Sequence, residues 1–317
     1  MPGPEKINFE SVVVLCGGGS SSEREISLLS GENVYQICRQ IFPTEKIILD
    51  EDSLPDRVRK AKNSIIFPMT LGEFGEDGGL QTLLEEAGLA FVGSDSQASA
   101  LCMNKFLAKQ IVSGRGVPVA DGIKFSGRNL PSIDAIASSI GTNLFIKPNA
   151  KGSSLGTHVI SSREDLASAL ENINDGGEYI LEKRISGIDL TVAVLDGKAL
   201  EVVEILPKHG FLDYDNKYVP GRSDKICPAK ISASAAKEIK SCGELIFECC
   251  KCRDWARMDF ILQNNGSLFF LETNTIPGMT QSSFFPLSAA AAGINLPALA
   301  KKLVGLAAAR MRRTFSE

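Results

Sequence analysis

Over the first ninety residues, short apolar runs alternate with stretches of helical period. Val12 to Leu15, Lys46 to Asp50, Ser64 to Met69 and Ala90 to Gly93 read as strands, and helix-like segments begin near Glu23, Asp52 and Leu80. That alternation predicts a parallel sheet with helices on its faces. Leu101, Lys105 and Ala108 then fall at helical spacing and predict one helix from Ser96 to about Gly114, which sets a first domain at residues 1–94.

The pattern changes after that helix. The strand FIKPNA, the Gly/Ser loop KGSSLG, a short strand, a helix from about Arg163 and the strand EYILEK make a compact unit over residues 95–185. The remainder, 186–317, carries the alternating strands IDLTVAVL and ALEVVEI, the polar loop FLDYDNKYVPGRSDK and a long helix from about Ser232. A hairpin from Ala256 to Asn274 and alanine-rich helical segments complete it.

The hairpin carries the sharpest chemistry. Asn265-Gly266 predicts a two-residue type I′ turn, because both central residues of that turn need positive φ. Counting back from it sets Asp259 opposite Glu272, and strand period puts Asn274 on the face of Glu272. Carboxylates paired across strands repel unless a cation lies between them, and these two sit within apolar runs. A small set of oxygen donors suits magnesium better than zinc. A hairpin edge facing water is the bland alternative. The strand-borne Lys147 and the loop from Lys151 to Gly156 offer charge, backbone amides and hydroxyls to a phosphate, although such a loop is a weak signal alone and lacks the P-loop pattern.

Bulk composition narrows the class. A chain of 317 residues, 44% hydrophobic and 23% charged with net charge -4, can fill several cores and offers no electrostatic footprint for nucleic acid or an anionic membrane. The start MPGPEKINFE lacks a leader pattern, and no apolar run has the length of a membrane helix, so a cytoplasmic location is expected. The eight cysteines are scattered; Cys249 and Cys252 have C-x-x-C spacing without a second pair, which predicts reduced packing residues over a zinc site.

The ordered set GGGSSSEREIS, GEFGEDGGLQ, ALCMNKFLAK, FIKPNAKGSSLGTHVI, EYILEKRISGIDLTVAVL, DYDNKY, ICPA and ARMDFIL through TNTIPGMTQSSFFP resembles D-alanine:D-alanine ligases of the ATP-grasp superfamily, over nearly the whole chain. The resemblance implies a three-domain ATP-grasp fold, mixed α/β and α+β, with an N-terminal parallel-sheet domain. It also implies a homodimer that uses ATP and two magnesium or manganese ions to join two D-alanine molecules through an acyl-phosphate for peptidoglycan precursors.

By that resemblance Lys105 and Lys147, with Ser153 and Ser154 of the loop, meet the ATP phosphates. Glu182 and the backbone of Lys183 to Ile185 meet adenine, and Asp189, where the family usually has Glu, holds the ribose. Asp259, Glu272 and Asn274 match the metal ligands. Glu23 matches the carboxylate that holds the first D-alanine's ammonium, in a triad with Ser153 and Tyr218, and Lys217 the lysine a closing loop brings onto the transferred phosphate. Arg257, Gly278, Ser283 and Phe284 match positions around the second D-alanine's carboxylate and the oxyanion.

Three positions depart from the family. Leu71 stands where a histidine is usual, Lys151 where many members carry Glu, and GGGSSSE has one residue more than the usual turn; each is expected to reshape the first-substrate pocket. His158 and His209 are expected to be structural or surface residues. Two alternatives therefore stay open: a ligase for D-serine, D-lactate or another acid, with Tyr218 against the lactate branch, and a ligase-derived nucleotide-binding protein without activity.

Overall fold

A computed structural model describes residues 9–19, 21–152, 156–208 and 222–314, without the side chains of 312–314. Ser153, Ser154, His209, Lys217 and Tyr218, with most of the expected closing loop, lie outside the described residues.

The strands β1 (Ser11–Gly17), β2 (Thr44–Leu49), β3 (Ser64–Met69) and β4 (Ala90–Phe91) form a parallel sheet in the order β2-β1-β3-β4. The two central strands are covered on both faces, which is why SVVVLCG and SIIFPM are nearly unbroken apolar runs. Helix α1 (Arg24–Cys38) starts just past the C-terminal end of β1, the edge of a parallel sheet where ligands collect. Its N-cap, Glu23, makes no side-chain capping bond, so the carboxylate is directed elsewhere. Helix α2 (Asp56–Arg59) is only one turn, and α3 (Gly79–Glu86) follows β3.

The expected helix from Ser96 to Gly114 is two helices, α4 (Ser96–Met103) and α5 (Lys105–Ser113). Asn104 breaks it with φ -78° and ψ 89°, and its side chain accepts from the N–H of Leu107. A short polar side chain that competes for backbone N–H groups favours a cap over a helix interior.

The central sheet is antiparallel: β5 (Gly122–Ser126), β6 (Leu144–Pro148), β7 (His158–Ile160) and β8 (Glu178–Lys183), in the order β5-β8-β6-β7. Helices α6 (Ile133–Ser139) and α7 (Arg163–Glu171) accompany it. His158 is exposed at the start of β7, a surface residue as expected.

The third sheet is also antiparallel, with β9 (Ile188–Leu195), β10 (Lys198–Pro207), β11 (Ser223–Ile226), β12 (Trp255–Leu262) and β13 (Leu268–Asn274) in the order β11-β10-β9-β12-β13. Helices α8 (Ala233–Cys249), α9 (Phe284–Ala291) and α10 (Leu296–Thr314) complete the described chain. The segment Ser223–Ile226, assigned from sequence to the polar loop, is an edge strand whose polar composition hides it.

The β12–β13 hairpin corrects one expectation and keeps another. Its turn is not the two-residue type I′: Gln263 donates its N–H to Ser267 O at 2.9 Å, leaving three residues in the loop, and within the turn only Gly266 takes positive φ, 88°. This is the three-residue loop in which an αL glycine forms a bulge. Asn265 acts through its side chain, which accepts from the N–H of Ser267 at 2.9 Å. Phe260 therefore faces Phe270, one place off the count, and a second bulge at Leu271 brings Asp259 back opposite Glu272.

The first sheet is not closed by its own segment. A single core joins Val12, Val34, Phe67 and Val92 to Trp255, Phe285, Leu303 and Ala307, so α10 returns across the chain to cover β3 and β4. Trp255 meets Phe67 and Phe285 edge-on, with centroids 5.9 and 5.2 Å away. All eight cysteines are free, and the Sγ atoms of Cys102 and Cys252 lie 3.7 Å apart in the interior. Among the described residues no helix is long and apolar enough to cross a membrane.

Trp255 is 1% exposed and is shared by the first and third sheets. Trp255→Ala is expected to cost about 3–5 kcal/mol, the range for a fully buried aromatic. The midpoint of urea unfolding reads this directly, and a loss under about 1 kcal/mol would show that this ring does not tie the two sheets together.

Candidate active site

A cleft of about 250 Å³ lies between the central and third sheets. Lys105, Lys147, Glu182, Lys183, Ile185, Asp189, Asp259 and Glu272, all singled out from sequence, line it. Its other walls include the apolar Phe145, Leu190, Phe260, Ile261 and Leu271. Apolar walls interspersed with charged groups suit a flat ring attached to an anionic tail.

The lysines arrive from two elements. Helix α5 is docked on the end of β6 by Asn149, whose carbonyl accepts from Lys105 N–H at 3.0 Å and whose side-chain oxygen accepts from Phe106 N–H at 2.9 Å. Lys105 is thereby fixed with its ammonium 3.4 Å from Glu272 Oε2 and 2.6 Å from the carbonyl of Lys151. On β8, Glu182 takes Lys147 at 3.1 Å on Oε2 and the buried Lys109 on Oε1. Burial alone would push the Glu182 carboxyl up, but the two ammonium groups outweigh it and hold it at about 2. Lys109 is lowered by the same burial, opposed by Glu182.

Asp259 is more heavily engaged than its sequence context suggested. Its Oδ1 accepts from Thr191 Oγ1 at 2.7 Å and Arg257 Nε at 3.0 Å, and its Oδ2 from Arg257 Nη2 at 3.1 Å and Asn274 Nδ2 at 3.4 Å. Asp259, Glu272 and Asn274 thus converge, with Arg257 and Lys105 supplying positive charge between and beside the carboxylates. An all-oxygen donor set of two carboxylates and an amide fits a hard divalent ion that completes its shell with phosphate oxygens and water, an ion that would compete with Arg257 and Lys105 for the carboxylates. Among the described residues no group of three His, Cys, Asp or Glu side chains assembles a metal site.

A smaller chamber adjoins the cleft, with room for about one water molecule. Glu23, Gly152, Lys105, Glu272 and Asn274 line it together with Glu76, Thr273 and Thr275. Among the described residues the buried hydroxyls of Thr273 and Thr275 have no hydrogen-bond partner. Glu76 accepts from the N–H of Gly72 at 2.9 Å and of Ile276 at 3.1 Å, joining the first sheet's loop to the end of β13. Burial, then the charge of Glu23, raises its carboxyl to about 7 against the pull of those N–H groups and of Arg257.

Leu71 does not present a hydrocarbon to this chamber in place of a donor. Its side chain is 2% exposed and belongs to the core shared with Met69, Met279 and Phe285. Its backbone serves the site instead, accepting from Ser21 Oγ at 2.7 Å.

Arg257 and Lys225 both lie over the ring of Phe284, at 5.3 and 4.5 Å from its centroid. Ser283 Oγ accepts from Thr280 N–H at 3.0 Å, and Gly278 packs against Ser283 so closely that a Cβ there would come within 3.0 Å of the hydroxyl. The structure therefore gathers Arg257, Gly278, Ser283 and Phe284 at one end of α9. Lys109, Glu76, Asn149 and Lys225 were not found from sequence. Glu76 lies within GEFGEDGGLQ and Lys109 within ALCMNKFLAK, so the motifs pointed near them; nothing local marks their burial.

Residues 111–305 match the family model described as D-ala D-ala ligase C-terminus. The chain is 38% identical to a D-alanine–D-alanine ligase of Syntrophobacter fumaroxidans, over 93% of this chain and 97% of that protein. Among solved structures it resembles the D-alanine–D-alanine ligase of Bacillus anthracis complexed with ATP, with a TM-score of 0.83, 27% identity and coverage of 96% of this chain and 99% of that one. It also resembles the VanG D-Ala:D-Ser ligase of Enterococcus faecalis, with a TM-score of 0.82, 29% identity and coverage of 94% and 99%.

Glu76 gives the site a pH signature. Its folded value of about 7 lies above the ordinary 4.5, so between these values the folded chain holds a proton that the unfolded chain releases. Its contribution to stability is full below about pH 4.5 and is lost as pH rises through about 7. The melting temperature of the native protein, measured relative to Glu76→Gln, is therefore expected to fall between about pH 5 and about pH 8. A difference that stays level across that range would mean that Glu76 is ionised throughout.

Proposed function

The chain belongs to the D-alanine–D-alanine ligase family, and on that premise we propose that it joins two D-alanine molecules with ATP through a D-alanyl-phosphate, supplying the dipeptide for peptidoglycan precursors in the cytoplasm. The observation that carries this reading is one cleft that brings Lys105 and Lys147 to the carboxylates of the β12–β13 hairpin.

A carboxylate is a poor acyl donor. Transfer of the γ-phosphoryl group to the first D-alanine's carboxylate gives an acyl-phosphate and ADP; the amine of the second D-alanine then attacks the acyl carbon, expels phosphate and loses a proton. Such phosphoryl transfer depends mainly on positioning and charge neutralisation. In this proposal adenine lies between the apolar walls, against the backbone of Lys183 to Ile185, with the ribose at Asp189. Both Glu182 oxygens already accept from lysines, so the backbone carries more of the adenine contact than the resemblance implied. Lys105 and Lys147, with Ser153, Ser154 and Lys217, hold the phosphates. Magnesium ions, with Asp259, Glu272 and Asn274 as protein ligands, would neutralise phosphate charge when bound.

Glu23, with Ser153 and Tyr218, holds the first substrate's ammonium. Arg257, with Gly278, Ser283 and Phe284, takes the second substrate's carboxylate and the oxyanion. A D-serine acceptor is the second reading, favoured by the likeness to a D-Ala:D-Ser ligase structure that is as great as that to a D-alanine–D-alanine ligase structure.

Purified protein with ATP, magnesium and D-alanine is expected to release ADP and yield D-alanyl-D-alanine by mass spectrometry, and Glu272→Ala to abolish both. L-alanine, D-serine and D-lactate run in parallel; product only with D-serine as acceptor would select the second reading, and no product with any pair would sink both. Gly152 offers a sharper probe, because a Cβ there would fall 2.3 Å from Glu23 Oε2, displacing a carboxylate and no backbone. Gly152→Ala is expected to raise the D-alanine KM about 10- to 100-fold, the worth of a charge-assisted hydrogen bond, with little change in melting temperature. An unchanged KM would remove Glu23 from the ammonium site.

A further inference from the structure

We propose that Lys109 is a positioning residue for the nucleotide: it is the resident counter-ion of Glu182, and by holding that carboxylate it frees Lys147 to contact phosphate. The inference rests on the nucleotide site just described and deepens it.

Lys109 and Glu182 are 6% and 4% exposed, and their side chains form an ion pair across 73 residues of sequence. Lys147 and Glu182 line the cleft, whereas Lys109 is not part of its wall among the described residues. Among the described residues its side-chain hydrogen bond into the site is the one to Glu182, and it acts on Lys147 and Glu272 through charge alone. Its placement follows from the helix: Lys105 and Lys109 are four residues apart on α5, so both point to the same side, one toward Glu272 and the other toward Glu182. The docking of α5 by Asn149 fixes where both ammonium groups fall.

The sheet register completes the arrangement. Glu182 lies opposite Phe145, and Lys147 is two residues along β6 on the same face, a diagonal neighbour that a long side chain reaches. Each Glu182 oxygen thus has one ammonium, Lys109 on Oε1 and Lys147 on Oε2. The two lysines differ in what they can leave. Lys147 is the more exposed, with 20% of its side chain accessible, and its Nζ also lies 5.0 Å from the Phe145 ring, so it can turn into the cleft.

When a phosphate takes Lys147, Glu182 loses one of its two partners. With Lys109 in place the carboxylate stays paired. Without Lys109, turning Lys147 to the phosphate would strand a buried carboxylate, a cost that holds Lys147 back. Lys109 acts as a fixed charge that makes the exchange at Lys147 inexpensive, and the acceptor side of the reaction does not depend on it.

The test is calorimetric ATP binding by the full chain without D-alanine, alongside steady-state kinetics. Lys109→Met is expected to weaken ATP binding about tenfold or more, to leave the D-alanine KM within about twofold, and to be rescued by Lys109→Arg. In a Glu182→Gln background the carboxylate is gone, so adding Lys109→Met is expected to change ATP affinity by less than about twofold. Unchanged ATP affinity in Lys109→Met with only a lower melting temperature would overturn the inference, as would a tenfold loss that persists in the Glu182→Gln background. If Lys109→Met fails to fold, the milder Lys109→Gln takes its place in both backgrounds, with the same expected and overturning results. Native protein that binds ATP but makes no dipeptide would refute the ligase reading and leave this test intact; native protein that binds no ATP would refute both.

Discussion

Charge taken out of water has to be answered within a few ångströms, and the floor of the cleft is built on that requirement. Glu182 is answered by two lysines, Asp259 by Arg257 and Thr191, Glu272 by Lys105, and Glu76 by two backbone N–H groups. In most of these pairs the partners come from different elements, so the electrostatic matching also docks α5 on the central sheet and the first sheet's loop on β13. A ligand entering such a site exchanges partners more than it finds empty ones. In the proposed reading phosphate would draw a lysine away from its carboxylate, and a metal would draw a carboxylate away from its cation. The displaced side chains remain in the cleft, so each needs a second partner, as Glu182 has in Lys109.

The parts of the fold legible in the sequence are those where burial imposes a period. The apolar runs of β1 and β3 announced a sheet covered on both faces, and the runs of β9 and β10 announced two further strands. The edge strands β5 and β11 escaped because they are half exposed and polar. The helix before the central sheet was read as continuous because Asn104 breaks no apolar period; its effect is a local contest for hydrogen bonds that hydropathy does not register.

The candidate site divides in the same way. The pairing of Asp259 with Glu272 was reached from the sequence by a count that contains two offsetting errors, a turn one residue longer than assumed and a bulge at Leu271 that restores the register. The residue pair is right and the route is not. Lys109 and Glu76 illustrate a deeper limit. Each is buried, and each is matched by a partner 73 or 200 residues distant, a relation that no window of local sequence contains. Leu71 shows the converse: its position in a motif suggested a change in substrate contact, but the backbone turns its side chain into the core.

The return of α10 onto β3 and β4 bears on how the molecule is made. The first sheet is complete as a hydrogen-bonded object once β4 emerges, but part of its apolar cover lies in residues 296–314, the last helix described. A ribosome adding about 5–20 residues per second takes roughly 10–45 seconds to travel from β3 to that helix. During that interval Val12, Phe67 and Val92 lack part of the surface that finally buries them. The earliest-made sheet is thus among the last to be sealed, and the nascent chain carries an apolar face through most of its synthesis, a standing invitation to chaperones and to aggregation alike.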